Sequence, residues 1–285
     1  MLATDKRGSL KPAHVIGLLA GKGDLPHQII THCQHHKKPL LLLAFEGQTD
    51  PNLAASYHPH QWVRLGAVAD ILMHLKKHHV THIVMAGAMH RPSWSELKLD
   101  WTGTQWLAKM GLKKAVGDDG LLSSAIQLLK AEGFDVLSAH DILADLLAPA
   151  GVMGSHNPNE DDWEDILKGR EVAHVLGSCD VGQAVVIQQG LVLGVEAIEG
   201  TEALLARCGQ LRRKGQGGVL VKMAKPNQSR EVDLPTIGLD TVQQVQAAGL
   251  CGIAIEAGAV QVLDLKAVVK AADKAGLYLV GISPL

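Results

Sequence analysis

The residues best equipped for chemistry crowd the second half of the chain. Asp180-Val-Gly-Gln183 precedes one apolar run, and Glu196-Ala-Ile-Glu199-Gly200-Thr201 follows another and opens a helical pattern. Lys222-Met-Ala-Lys225-Pro226 ends a third run, and Asp233-Leu-Pro-Thr236-Ile-Gly comes shortly after. Each has an ordinary reading, Glu199 as a first-turn carboxylate and Asp233-Leu-Pro as a turn. What they share is position, because carboxylates, lysines and glycine turns all fall at strand ends. Pyrophosphate cleavage calls for cations on the phosphoryl oxygens, a carboxylate-held metal, and a carboxylate to orient or activate water. Residue types for all three are present.

The first half contributes fewer candidates. Gly21-Lys-Gly23-Asp-Leu-Pro lies between a strand-like run and a helix, where glycines let backbone N–H groups approach an anion at a helix N-terminus. It matches neither standard phosphate-binding fingerprint, and a tight strand-to-helix turn reads equally well. Gly87-Ala-Met-His90-Arg91-Pro follows a later strand, which suits Arg91 to a phosphate beyond the strand ends, or to an exposed structural role. Asp118 and Asp119, between Gly117 and Gly120, fit a helix cap or a hydrated Mg²⁺.

These residues need elements to carry them. Apolar runs at 14–20, 39–45, 61–65, 82–89 and 134–139 alternate with helical spacing at 25–36, 67–79 and 121–132. Such alternation implies a Rossmann-like parallel sheet covered by helices. The turn-rich stretch 149–160 reads as a linker, so the expected organisation is a polar arm (1–13), a nucleotide- or phosphate-binding domain (14–148), the linker, and a mixed α/β domain (161–285). In that second domain a hairpin is expected across Gln188-Gln189-Gly190, and another joining 251–255 to 260–263 across Glu256-Ala-Gly-Ala.

Composition narrows the classes. The 285 residues are 47% hydrophobic and 20% charged, and the net charge of −2 gives no basic field to recruit nucleic acid. Four scattered cysteines lack metal spacing and read as reduced thiols. Neither a signal peptide nor an apolar run long enough to span a membrane is apparent, so a cytoplasmic protein is expected, with peripheral membrane contact left open. A homodimer is the default from symmetry.

The segments GKGDLP, VGDDGLL, DVGQAVVI, VLGVEAIEGTEALL, KMAKPNQSREVDLPTIG and GLCGIAIEAG occur in that order. From about residue 14 to 282 the chain resembles the LpxI family of UDP-2,3-diacylglucosamine pyrophosphatases, enzymes of lipid A assembly. The resemblance implies two α/β domains holding the substrate in a cleft between them. It implies hydrolysis of UDP-2,3-diacylglucosamine to UMP and 2,3-diacylglucosamine 1-phosphate with Mg²⁺ (or Mn²⁺). The family's catalytic aspartate falls on Asp233, its Gly-rich turn on Gly21 and Gly23, and its acidic-Gly-Thr turn on Glu199, Gly200 and Thr201. Asp233 is thus expected to position water or hold the metal, with Asp118, Asp119, Glu196 and Glu199 as further candidate ligands. Arg91, Lys222 and Lys225 are candidate phosphate clamps, and Gly87, Asp180, Gln183 and Thr236 candidate substrate contacts. Position 88 departs from relatives, reading Ala after Gly87. Two acyl chains need an apolar berth, expected from residues 204–211 and 242–250, with ordinary core as the alternative. A non-catalytic nucleotide or nucleotide-sugar binding module is the rival from another class.

Overall fold

A computed structural model describes residues 14–89, 98–110, 118–143, 145–215, 217–226 and 234–285. Chain contacts divide the protein into two units, Met1–Leu143 and Ala144–Leu285.

The first unit runs β1 (Val15–Ala20), α1 (Asp24–His35), β2 (Leu40–Phe45), α2 (Pro51–Ala55), β3 (His60–Val63), α3 (Val68–Lys77), β4 (Val80–Ala86), α4 (Trp101–Met110), α5 (Asp118–Ala131), β5 (Asp135–Leu137) and α6 (Ala139–Ile142). Five parallel strands lie in the order β3-β2-β1-β4-β5. Every residue of β2, Leu-Leu-Leu-Leu-Ala-Phe, is buried, as a strand covered on both faces must be. The helices complete the layers with apolar stripes: Ile29, Ile30 and Cys33 on α1, and Val68, Leu72 and Leu75 on α3. The expected Rossmann-like domain is therefore present. Its strand order reverses between β1 and β4, and in open α/β sheets that crevice is where ligands bind.

The second unit contains β6 (Gly151–Val152), α7 (Glu160–Ser178), β7 (Ala184–Gln188), β8 (Leu191–Val195), α8 (Gly200–Leu211), β9 (Val219–Lys222), β10 (Thr236–Ile237), α9 (Leu239–Ala247), β11 (Gly252–Glu256), β12 (Gln261–Val262), α10 (Leu265–Ala275) and β13 (Tyr278–Ile282). Its main sheet is mixed, in the order β6-β13-β11-β9-β7-β8. Period-two alternation sends Ala184 and Val186 into one core with α8, α9 and α10, and Val185 and Ile187 into another with Ile166 and Ala173 of α7. Residues 149–160, read as a linker, supply β6, which pairs with β13, and the Asn159 cap of α7.

The hairpin across Gln189-Gly190 forms, with positive φ at both residues as a tight two-residue turn requires. The buried Asp165 carboxylate accepts the N–H groups of Gln189 (2.9 Å) and Gly190 (2.6 Å) and holds the turn. The second expected hairpin does not form. β11 pairs in parallel with β9 and β13, whereas β12 pairs in parallel with β10 in a separate two-stranded sheet. A short gap between two apolar runs looks like a hairpin from sequence, but here the chain leaves one sheet for another. The expected acyl berth is also corrected: Leu204, Leu205, Cys208, Val242, Val245, Ala248 and Leu250 are packed core. Among the described residues no helix is long and apolar enough to cross a membrane.

Candidate active site

Polar groups collect at one edge of the second unit's sheet. Because β7 runs antiparallel to both β8 and β9, the end of β8, the start of β7 and the end of β9 meet there. Glu196 follows β8 and is buried. Its Oε2 accepts the Gln183 N–H (3.1 Å) and its Oε1 accepts the Thr201 hydroxyl (2.5 Å). Lys222, the last residue of β9, is buried beside them. Its ammonium donates to Thr201 Oγ1 (3.0 Å) and to the Thr236 carbonyl (3.0 Å), so described residues engage two of its three donors. Thr201 therefore relays between a buried cation and a buried carboxylate. Burial pulls the Lys222 pKa below its ordinary value, and Glu196 opposes part of that fall.

Two groups complete this edge. Gln261 Oε1 accepts from the Thr236 hydroxyl (3.2 Å), tying β12 to β10. Glu256, the buried last residue of β11, accepts the Ala224 N–H (3.0 Å) and steadies the chain leaving β9. Sequence reasoning missed Glu256 as a site residue because the false hairpin made it a turn. The signal that could have found it is a carboxylate closing the apolar run Gly252–Glu256, as Lys222 closes Val219–Lys222.

The remaining candidates separate clearly. Lys225 donates to Asp180 (2.6 Å), a pair more exposed on the aspartate side. Glu199 pairs with Arg207 (2.8 Å) and accepts the Ala197 N–H. Its own backbone N–H and then the guanidinium hold its carboxyl below the usual range. Gly200 opens α8. Asp118 and Asp119 open α5 in the first unit, and their side chains lie outside the description, as do Arg91 and Asp233 entirely.

In the first unit the site is made of main chain. Lys22 and Ala88 exchange hydrogen bonds (2.8 and 2.9 Å), stapling the turn after β1 to the end of β4. A Cβ on Gly21 would overlap the Ala88 carbonyl oxygen, and one on Gly87 would sit 2.6 Å from the Lys22 oxygen, so only glycine permits this approach. Gly23 differs, since at φ 97° its missing Cβ faces open space in front of α1. Thr49, which sequence reasoning also missed, donates to the Ala20 carbonyl and accepts the Phe45 N–H, bracing the ends of β1 and β2.

As for a metal, each Glu196 oxygen accepts one hydrogen bond from the described residues and keeps a further lone pair. Among the described residues no group of three or more His, Cys, Asp or Glu side chains could hold an ion.

Fold and site define a two-unit α/β protein with a glycine turn at the strand ends of one unit and a buried lysine at those of the other. The family described as the LpxI N-terminal domain matches residues 15–146, and the LpxI C-terminal domain matches residues 149–280. The chain belongs to the LpxI family. It is 36% identical over 275 residues to UDP-2,3-diacylglucosamine pyrophosphatase LpxI of Caulobacter vibrioides, covering 94% of this chain and 98% of that protein. A solved structure of CobK precorrin-6A reductase matches 95% of this chain and 88% of its own, at 11% identity and a TM-score of 0.33, a likeness from which nothing about function follows.

Proposed function

We propose that this protein hydrolyses the pyrophosphate of UDP-2,3-diacylglucosamine, releasing UMP and 2,3-diacylglucosamine 1-phosphate for lipid A assembly. Family membership over nearly the whole chain supports the reaction. The observation that carries the chemistry is the buried Lys222–Thr201–Glu196 relay, since a desolvated cation at strand ends suits a phosphoryl oxygen whose charge grows in the transition state. Lys222 binds that oxygen, Thr201 and Glu196 hold the ammonium in place, and the Gly21-Lys-Gly23 turn offers backbone N–H groups to a phosphate or nucleotide.

Asp233 is assigned to orienting or deprotonating the attacking water. The family resemblance also implies Mg²⁺ or Mn²⁺, which when bound would neutralise charge on the phosphates. Its candidate ligands are Asp233, Asp118, Asp119 and Glu196, with Glu199 engaged by Arg207. Under this reading the protein works in the cytoplasm, meeting its acylated substrate at the inner membrane surface.

Asp233→Asn tests the assignment. Turnover is expected to fall by about 10²–10⁴ with the melting temperature held. Near-normal turnover with a lowered melting temperature would make Asp233 a turn residue instead. Tight UDP-sugar binding by the unaltered protein without turnover would favour a binding module.

A further inference from the structure

We propose that Glu46, just past the C-terminal end of β2, is the ribose-binding residue of a ribonucleotide site in the first unit, its carboxylate accepting the 2′-hydroxyl. The inference rests on the proposed function for the nucleotide, a uridine phosphate, and on the geometry of this unit for the place.

The strand ends set the position. β1 and β2 are parallel neighbours in register from Ile16–Leu40 to Ala20–Ala44. The chain leaves β1 into the Gly21–Gly23 turn and leaves β2 into Glu46, from strands about 5 Å apart. Glu46 also follows Gly23 at roughly the 20-residue interval that, in dinucleotide-binding sheets, separates a glycine turn from the carboxylate on the ribose 2′-hydroxyl. The turn here is not that fingerprint. The 2′-hydroxyl, however, is common to all ribonucleotides, and an ionised carboxylate is a pure acceptor for it.

The backbone at Glu46 is fixed while its side chain is uncommitted. Its N–H donates to the Val63 carbonyl (3.0 Å), which ties it to β3. The N–H groups of Gln48 and Thr49 close back on the Phe45 carbonyl (3.0 and 2.9 Å). The buried Thr49 hydroxyl accepts the Phe45 N–H and donates to the carbonyl of Ala20, the residue before Gly21. The loop that carries Glu46 is thereby joined to the glycine turn. Other carboxylates of this unit have structural duties. Asp50 caps α2, Asp100 accepts the Ala69 and Gly103 N–H groups, Asp141 accepts from Ser138, and Glu132 pairs with Lys76. Asp24 and Asp70 sit in the first turns of α1 and α3, where the helix dipole favours them. Glu46 is exposed at the strand ends, and its carboxylate has no partner among the described residues.

The test is calorimetric titration of the full chain with UMP and with 2′-deoxy-UMP, comparing wild type, Glu46→Ala, Glu46→Gln and, as a charge control, Glu132→Gln. Wild type and Glu132→Gln should bind UMP about tenfold or more tighter than the deoxynucleotide, the effect expected of a hydrogen bond to a charged acceptor. Glu46→Ala should lose that preference by weakening UMP while leaving 2′-deoxy-UMP nearly unchanged. Glu46→Gln keeps one acceptor oxygen and should retain part of the preference, which also guards the test if the alanine variant folds poorly. Equal binding of the two nucleotides by the wild type, binding of neither, or an undiminished preference in Glu46→Ala would each overturn the ribose site. Turnover of UDP-2,3-diacylglucosamine is followed in the same proteins. Absent turnover with the preference intact would remove the hydrolase reading and keep the ribose site, whereas turnover without the preference would do the reverse.

Discussion

Under the proposed function, the two strand-end sites meet phosphate by opposite means. In the first unit, the turn after β1 is stapled by main-chain bonds between Lys22 and Ala88, and its shape depends on atoms that Gly21 and Gly87 lack. In the second, the side chains of Glu196, Thr201 and Lys222 make the site with the Thr236 carbonyl, although Gly182 there also approaches the Glu196 backbone too closely for a Cβ. A backbone site tolerates almost any change in side-chain chemistry but no added bulk. A side-chain site should show the reverse, losing chemistry readily while keeping its fold.

The largest expected effect follows from that reverse sensitivity. Lys222→Met should lower kcat by about 10²–10³, the range for removing a transition-state donor. Stability should hold only when Glu196→Gln accompanies it, because Lys222→Met alone leaves the Glu196 carboxylate as an uncompensated buried charge. The pH dependence has a definite sign. Lys222 has a folded pKa below its unfolded value, so the unfolded chain binds more protons between the two, and stability rises with pH across that window. Wild-type stability relative to Lys222→Met should therefore rise as pH climbs toward 10.5, which chemical denaturation at several pH values would check. A Lys222→Met/Glu196→Gln variant that loses both activity and fold would place Lys222 with the structural residues.

Gly21→Ala should produce the next largest effect, this time on stability. Overlap with backbone atoms cannot be relieved by a rotamer change, and a loss of about 3 kcal/mol or more is expected. Gly23→Ala meets open space and carries only conformational strain, about 1–2 kcal/mol. Equal losses at the two positions, read from urea unfolding, would mean the staple is not what Gly21 serves.

Much of this contrast was legible in the residues, and the gaps have physical causes. Runs such as Leu40–Phe45 announced buried parallel strands by their unbroken apolar character, and Gln189-Gly190 announced its hairpin by turn chemistry. The strand-end clustering of Glu196, Thr201 and Lys222 could be inferred from their place at the ends of runs. Their shared hydrogen bonds could not, because strand order within a mixed sheet is set by tertiary packing. The same limit produced the false hairpin at Glu256, where local spacing was right for a turn but β11 and β12 join different sheets. Residues 204–211 and 242–250 were read as a lipid berth because apolar stripes look alike whether they face a ligand or a core. Thr49 had no local signal, since its partner Ala20 lies 29 residues away.

The smallest effect expected is kinetic and separates the cysteines. Burial and the neighbouring Asp162 carboxylate push Cys251 up to about 12, and burial raises Cys33 to about 11. Cys179 is exposed. Iodoacetamide near pH 8 should label Cys179 first and leave the other three largely unmodified in the folded protein, because the thiolate is the reactive form. Rapid labelling of Cys251, located by peptide mass, would show that the start of β11 opens more readily than its packing suggests.

The most direct measurement is hydrolysis of UDP-2,3-diacylglucosamine by the purified protein in ¹⁸O-labelled water, with Mg²⁺ present or chelated. The proposed function predicts release of UMP and 2,3-diacylglucosamine 1-phosphate with one labelled oxygen in one of them, and loss of release on chelation. UMP release that survives chelation would keep the reaction and remove the cation from it. No UMP release under any condition, with the substrate bound, would contradict the proposed function.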